Sequence, residues 1–189
     1  VESEFIKTSE SKKELQNDSE DRCLVTGNKE EIARLHSSIK GVWGAQSSGA
    51  NIVSFNRPSF CSFNKEQGLN SPIGKSTSFT YTNALNQLLD KDSLQRMQVG
   101  DASTVFWSEA SSDLECQISS FFNEPPKDDP DQGVNAVRSL FSSIHNGAFS
   151  NEEGKIRFYV LGLSPNASRI SVRFWIVGTV QEMAHRIVQ

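Results

Sequence analysis

Positions 40 to 56, KGVWGAQSSGANIVSFN, hold the densest chemistry in the chain. Gly44 and Gly49 have the spacing of the glycines in a phosphate-binding loop. Such a loop next needs Lys for the phosphate charge, Ser or Thr for magnesium, and a helix whose N-terminus adds its dipole. Ala50 and Asn51 fill those places, and the β-branched run IVSF follows at 52–55. Charge and dipole are both missing, which excludes nucleotide hydrolysis by this loop. What remains is a loop of three glycines, two serines, Gln46 and Asn51 whose backbone can approach a ligand closely. Amides and backbone N–H groups can contact base edges and phosphates without carrying charge. A plain surface turn has the same composition.

Other chemistry-bearing residues form no convergent set. Asp113 and Glu115 sit two positions apart on a predicted helix, on different faces. Asp128, Asp129 and Asp131 lie in the Pro-rich loop PPKDDPDQG, where Pro130 takes a position that a calcium loop needs for a ligand. They read as solvated surface acids. His36, His145 and His185 are far apart, so no metal-ligand helix is visible. Cys23, Cys61 and Cys116 are odd in number and contain no C-x-x-C pair, which fits neither a disulfide framework nor a zinc site. They read as free thiols of a reducing cytoplasm. No Gly-x-Ser-x-Gly elbow occurs. The chain therefore reads as a non-enzyme with no cofactor and no metal. Trp107 and Trp175 read as core, whereas Trp43, between glycines in a basic block, is open to core packing or to base stacking.

The elements that must position these groups follow from periodicity. Residues 1–22 are polar and charged and read as a linker or frayed helix. CLVT at 23–26, IVSF at 52–55 and VFW at 105–107 read as short strands, the last after a turn at Gly100-Asp101. Phe79, Ala84, Leu85, Leu88 and Leu89 recur at helical spacing, with Ser76 and Ser78 near the start as caps. Leu114, Ile118, Phe121 and Phe122 mark a helix that Pro125-Pro126 must stop. Val134, Val137, Leu140, Phe141 and Ile144 mark another. The last strands, 156–163 and 169–177, flank Ser164-Pro165-Asn166 as a hairpin, and the final residues read as a helix cut mid-pattern. Short strands and an antiparallel β-hairpin packed with amphipathic helices give an α+β class, with residues 23–189 as one domain. Val1 at the start and that cut helix read as an excised piece of a longer protein.

The chain has 189 residues, 36% of them hydrophobic, and a net charge of −4. No apolar run approaches the ~18 residues of a membrane span. The net charge averages opposites. Residues 1–31 hold nine acids and five bases, 32–99 three and seven, 100–153 ten and two, and 154–189 one and five. Two blocks of +4 thus hold the glycine loop and the hairpin, and binding follows local potential rather than the total. Acidic helices folding over basic strands would neutralise the same blocks.

Several strings go beyond composition: CLVTG at 23–27, IARLH at 32–36, IKGVWGAQSSG at 39–49, VSFN at 53–56, VFW at 105–107, YVLGLSPN at 159–166 and RISVRFW at 169–175. In this order the chain resembles the large subunit of the type I-C CRISPR surveillance complex (Cascade), as an internal piece of its N-terminal half. The resemblance covers roughly residues 22–108 and 156–177, and the acidic stretch between carries little of it. It implies a non-catalytic, cytoplasmic subunit of an RNA-guided antiviral complex. Such a subunit joins backbone subunits that bear the guide RNA, binds target double-stranded DNA, helps read the flanking motif, and recruits a helicase-nuclease. In related type I large subunits a glycine-bearing loop, a lysine and a glutamine wedge read the duplex, and Lys40 and Gln46 parallel them. The expected DNA contacts are therefore Lys40, Gln46, Asn51 and Asn56, with Arg169 and Arg173 on phosphates. A protein–protein docking module of the same complex, with no nucleic-acid contact, is the alternative.

Overall fold

The structure is a computed structural model that describes residues 20–122, 132–147 and 152–188. Most of the polar N-terminal stretch and the acidic loop with Asp128, Asp129 and Asp131 lie outside the described residues. Among the described residues six strands form two antiparallel sheets and four helices accompany them, giving an α+β fold. The chain divides into two compact units. The first comprises Val1–Ile39 and Asn51–Leu85, the second Lys40–Ala50 and Asn86–Gln189.

In the first unit β1 (Glu20–Arg22) pairs with β2 (Lys29–Glu31), and Lys29 reaches Glu20 at 3.2 Å. The expected strand at 23–26 is instead the connection of this hairpin. Gly27, at φ +74°, donates its N–H to the Cys23 carbonyl at 2.9 Å and closes the turn, leaving Leu24 and Val25 exposed. Apolar content alone does not make a strand where a left-handed glycine folds the chain back. The expected strand at 52–55 is irregular, and two 3-10 turns follow, Pro58–Phe60 and Gln67–Asn70. Helix α1 (Lys75–Leu88) starts one residue before the serines expected to cap it and buries Ser78, Thr82 and Leu85. Thr82 Oγ1 donates to the Ser78 carbonyl at 2.8 Å, which lets a hydroxyl sit in the interior. Phe79 points outward.

The second unit is built on a four-stranded sheet of order β3 (Arg96–Val99), β4 (Ala102–Ser108), β5 (Arg157–Asn166), β6 (Arg169–Thr179). Gly100, at φ +59°, opens the β3–β4 turn. β5 runs through Ser164-Pro165-Asn166, so the hairpin turn falls at Ala167-Ser168, later than the sequence placed it. Pro165 is tolerated because β4 pairs with β5 only up to Leu163, so no ladder bond on that side needs its missing N–H.

Helices α2 (Asp113–Phe122), α3 (Gln132–His145) and α4 (Val180–Val188) complete the unit. Phe106, Leu114, Ile118, Leu140, Phe158, Val180, Met183 and Ala184 form its buried core. Phe106 and Phe158 stack at 6.2 Å. Gly162 is required here, because a Cβ would lie 2.4 Å from the Phe174 ring across the strand pair. Gly162→Val is expected to cost about 1–3 kcal/mol of stability in urea unfolding. A Phe174→Leu background should absorb most of that loss.

His36 is buried in the first unit with its Nδ1 2.5 Å from the Tyr81 hydroxyl, while its Nε2 has no partner among the described residues. Burial pushes the imidazole below its ordinary value and the Tyr81 phenol up to about 12. The folded state therefore prefers neutral His36. Its contribution to stability is present above the unfolded value of about 6.5 and is lost as pH falls through the lower folded value. Thermal melts from pH 7.5 to 5 should show a steeper loss for the native chain than for His36→Gln.

Candidate nucleic-acid interface

The segment 40–50 belongs to the second unit, and its glycines serve turns rather than phosphates. Ala45 N–H donates to the Val42 carbonyl at 3.1 Å and Gly49 N–H to the Gln46 carbonyl at 2.9 Å, making two consecutive turns. Gly44, at φ +77°, takes the left-handed place of the first, and Gly49, at φ +90°, closes the second. Gly41 is required twice over: its φ is +82°, and a Cβ there would lie 2.4 Å from the Leu89 carbonyl oxygen. The glycine spacing that resembled a phosphate loop is the spacing of two turns.

This loop is fastened onto one end of the sheet. The Lys40 N–H donates to Asn86 Oδ1 at 2.7 Å. The Trp43 N–H donates to Ser103 Oγ at 2.8 Å, and the fully buried Ser103 donates in turn to Gln98 Oε1 at 3.2 Å. Gly44 lies against the Pro165 ring, where a Cβ would be 3.4 Å from Cγ. Ser103 and Pro165 both stand on the face that carries Trp107 and Tyr159, by the strand alternation of two. The loop thus crosses that face at the end bearing the Gly100-Asp101 and Ala167-Ser168 turns, while the side chains of Lys40, Trp43 and Gln46 remain exposed.

The arginines sit on β6 at that same end. Arg169 pairs in register with Asn166 and is half-buried. Gly162 pairs with Phe174 and Leu163 with Val172, so Arg173 is the extra residue of a β-bulge. Its guanidinium donates to Asp101 Oδ2 at 2.6 Å. Of the expected contacts, Lys40, Gln46, Arg169 and Arg173 therefore all belong to the second unit. Asn51 and Asn56 belong to the first. The Asn51 Nδ2 donates to the His36 carbonyl at 2.7 Å and its Oδ1 accepts from Ser38 Oγ at 3.5 Å, which fixes that amide inside its own unit. Asn56 is exposed on the rim of a 580 Å³ cleft shared with Arg57, Lys65 and Gln67.

Sequence reading missed two features. Asp101 is the carboxylate that holds Arg173, a pairing 72 residues apart. Trp175, read as core, is half exposed and clusters with Trp107 and Tyr159. Of the acid pair on α2, the Glu115 carboxylate is engaged within the chain, accepting from Ser108 Oγ at 2.6 Å and from Gln95 Nε2, while the Asp113 backbone N–H donates to Glu153 Oε1 at 2.8 Å. Among the described residues no group of three His, Cys, Asp or Glu could hold a metal ion, and no helix is long and apolar enough to cross a membrane. Cys23 is buried, and the Gly74 N–H on its sulfur at 3.3 Å brings the thiol down to about 7.

The hydrogen bond from Arg173, and then its charge, holds the Asp101 carboxyl below the ordinary carboxylate range. The pair's contribution is present above the unfolded value of about 4 and is lost as pH falls through the depressed folded value. Both side chains are more than half exposed, so salt screens the pair. Thermal melts of Asp101→Asn should differ from the native chain only slightly at neutral pH, with the difference vanishing toward pH 2 and in high salt.

Against known families, the model of the CRISPR-associated protein family (Cas_Csd1) matches residues 1–189. No curated protein matches the chain.

Proposed function

The chain belongs to the Cas_Csd1 family of CRISPR-associated proteins, and from that premise we propose that it is a non-catalytic large-subunit domain of a type I-C interference complex. In this reading it helps bind target double-stranded DNA and read the flanking motif. The guide-bearing backbone subunits hold it in place, and it helps recruit the helicase-nuclease. The observation that supports this most is the docking of the glycine loop onto the turn end of the basic hairpin through Trp43, Gly44, Ser103 and Pro165. It places Lys40 and Gln46 in the same unit as Arg169 and Arg173, an amide and a lysine on the loop and guanidinium groups on the hairpin it docks against. Amides read base edges while cations hold phosphates, the division of labour that a short flanking motif requires. Pairing with a guide supplies the remaining specificity, so the protein needs few base contacts.

The test replaces Lys40 and Gln46 by Ala in the assembled complex and measures binding to duplexes with intact and scrambled flanking motifs. Loss of about tenfold on the intact motif, with discrimination reduced, is expected for one lost base contact. Unchanged affinity together with unchanged discrimination would contradict the loop's role. Arg173→Gln should weaken both duplexes alike and make the slope of log K against log salt shallower by about 1. Crosslinking in the complex separates this reading from a pure docking module, which yields no DNA adducts on residues 40–50.

A further inference from the structure

On the sheet face away from the Phe106–Phe158 core, three aromatic side chains form a triangle in which each ring touches the other two. Trp107 on β4 stands directly across from Tyr159 on β5, with ring centroids 5.4 Å apart and planes at 20°. Trp175 on β6 lies 5.8 Å from Tyr159 at 25° and 5.5 Å from Trp107. Phe106 and Phe158, by contrast, are about 1% and 0% exposed beneath the helices, whereas Trp175 keeps 50% of its surface exposed. The surface left for a further ring is therefore the exposed half of Trp175, with Trp107 and Tyr159 supporting it from behind. β6 is the last strand, and the pairing of β3 with β4 stops at Val105, so neither tryptophan has another strand beside it.

The surroundings select the occupant. Arg157 precedes Tyr159 by two residues on the same face of β5, is exposed, and makes no ion pair among the described residues. Arg173 precedes Trp175 by two, and residues 154–189 hold five bases against one acid. The exposed Glu109 is the carboxylate that the end of β4 brings alongside, its N–H bonded to the Arg157 carbonyl at 2.9 Å. Strand addition at β6 is disfavoured by the bulge that places Arg173 on that edge. The exposed part of this face around Trp175, rather than the strand edge, is then the open feature, and aromatic rings flanked by guanidinium groups match bases joined by phosphates. Val172 and Val177, exposed on β6, suit deoxyribose and the thymine methyl, and provide no partner for a ribose 2′-hydroxyl.

We infer that the Trp107–Tyr159–Trp175 cluster is a stacking platform for unpaired DNA bases, with Arg157 on the adjoining phosphates. This rests on the nucleic-acid reading above and names the form of DNA this face takes: a single strand, such as one released beside an opened duplex. Stacking is sequence-tolerant because every base has a π-face, so the platform adds affinity without adding a motif.

The experiment measures anisotropy of a labelled twenty-nucleotide oligothymidylate, its ribo counterpart and a motif-bearing duplex with the full chain. Trp175→Leu keeps an apolar side chain but has no π-face, and Trp175→Phe keeps both; melting curves confirm that each folds. The expected result is about tenfold weaker oligothymidylate binding for Trp175→Leu, with Trp175→Phe within about threefold of the native chain. The ribo-oligonucleotide should bind more weakly than the deoxy one. Native-like binding by Trp175→Leu overturns the platform, since an apolar protein-docking face would respond in that way. Equal or tighter ribo-oligonucleotide binding overturns the assignment to DNA. Sensitivity of the duplex to Lys40→Ala without sensitivity of the oligonucleotide to Trp175→Leu sinks the platform and leaves the loop reading intact. Binding of neither nucleic acid by the native chain sinks both.

Discussion

The pairing of β4 with β5, from Ser103↔Leu163 to Ser108↔Phe158, decides what the second unit can bury and what it can offer. Side chains alternate across a pleated sheet, so this register sends Phe106 and Phe158 to the helices while Trp107 and Tyr159 stand on the other face. The helices accept it because α2 brings Leu114 and Ile118, α3 Leu140, and α4 Val180, Met183 and Ala184 to the same phenylalanines. A slip of one residue would exchange the two faces, turning the phenylalanines away from the helices and Trp107 and Tyr159 toward them. With an aromatic on both faces at adjacent positions, composition cannot tell inside from outside. Only the cross-strand register can.

The second constraint lies one strand over. Phe174 crosses above Gly162 so closely that no side chain fits there, and β6 must take an extra residue to continue in phase past that crossing. The extra residue is Arg173. A bulge re-aims a side chain, and here the guanidinium meets Asp101 beside the β3–β4 turn. The same local irregularity therefore does three things. It relieves the crowding at Gly162, interrupts the exposed edge of β6, and sets a cation at the end of the sheet where the glycine loop docks. Asp101 holds that cation in one geometry but also competes for it with any phosphate, so the arginine's availability is a matter of local ionic strength.

Periodic patterns were the legible part of this fold. The helix at 113–122, the one around Leu140, the strand containing Val105 and the closing hairpin all follow from spacing that a sequence displays directly. The short apolar runs at 23–26 and 52–55 misled because four residues carry no period, and in the first a left-handed glycine decided the outcome. β3, with Arg96 and Gln98 alternating with Met97 and Val99, has too little contrast to stand out; its strand character comes from β4, which it completes. Likewise Arg173 and Trp175 were visible as residue types, but the phase shift that separates their roles depends on Gly162, a residue on another strand.

The candidate interface was legible in its parts but not in its assembly. Lys40 and Gln46 stand out because glycines surround them, and the hairpin arginines because their block is basic. Their placement in one unit depends on two contacts with no sequence signature: an N–H of Trp43 on a buried serine and a glycine against a proline ring. Gly44 needs its left-handed φ for the turn, and Ser103 needs a hydroxyl that both accepts from Trp43 and donates to Gln98. A loop anchored in this way pays little conformational entropy on meeting a ligand, because its turns are already closed. What is preorganised is the backbone of the segment, from which the exposed Lys40 and Gln46 side chains project.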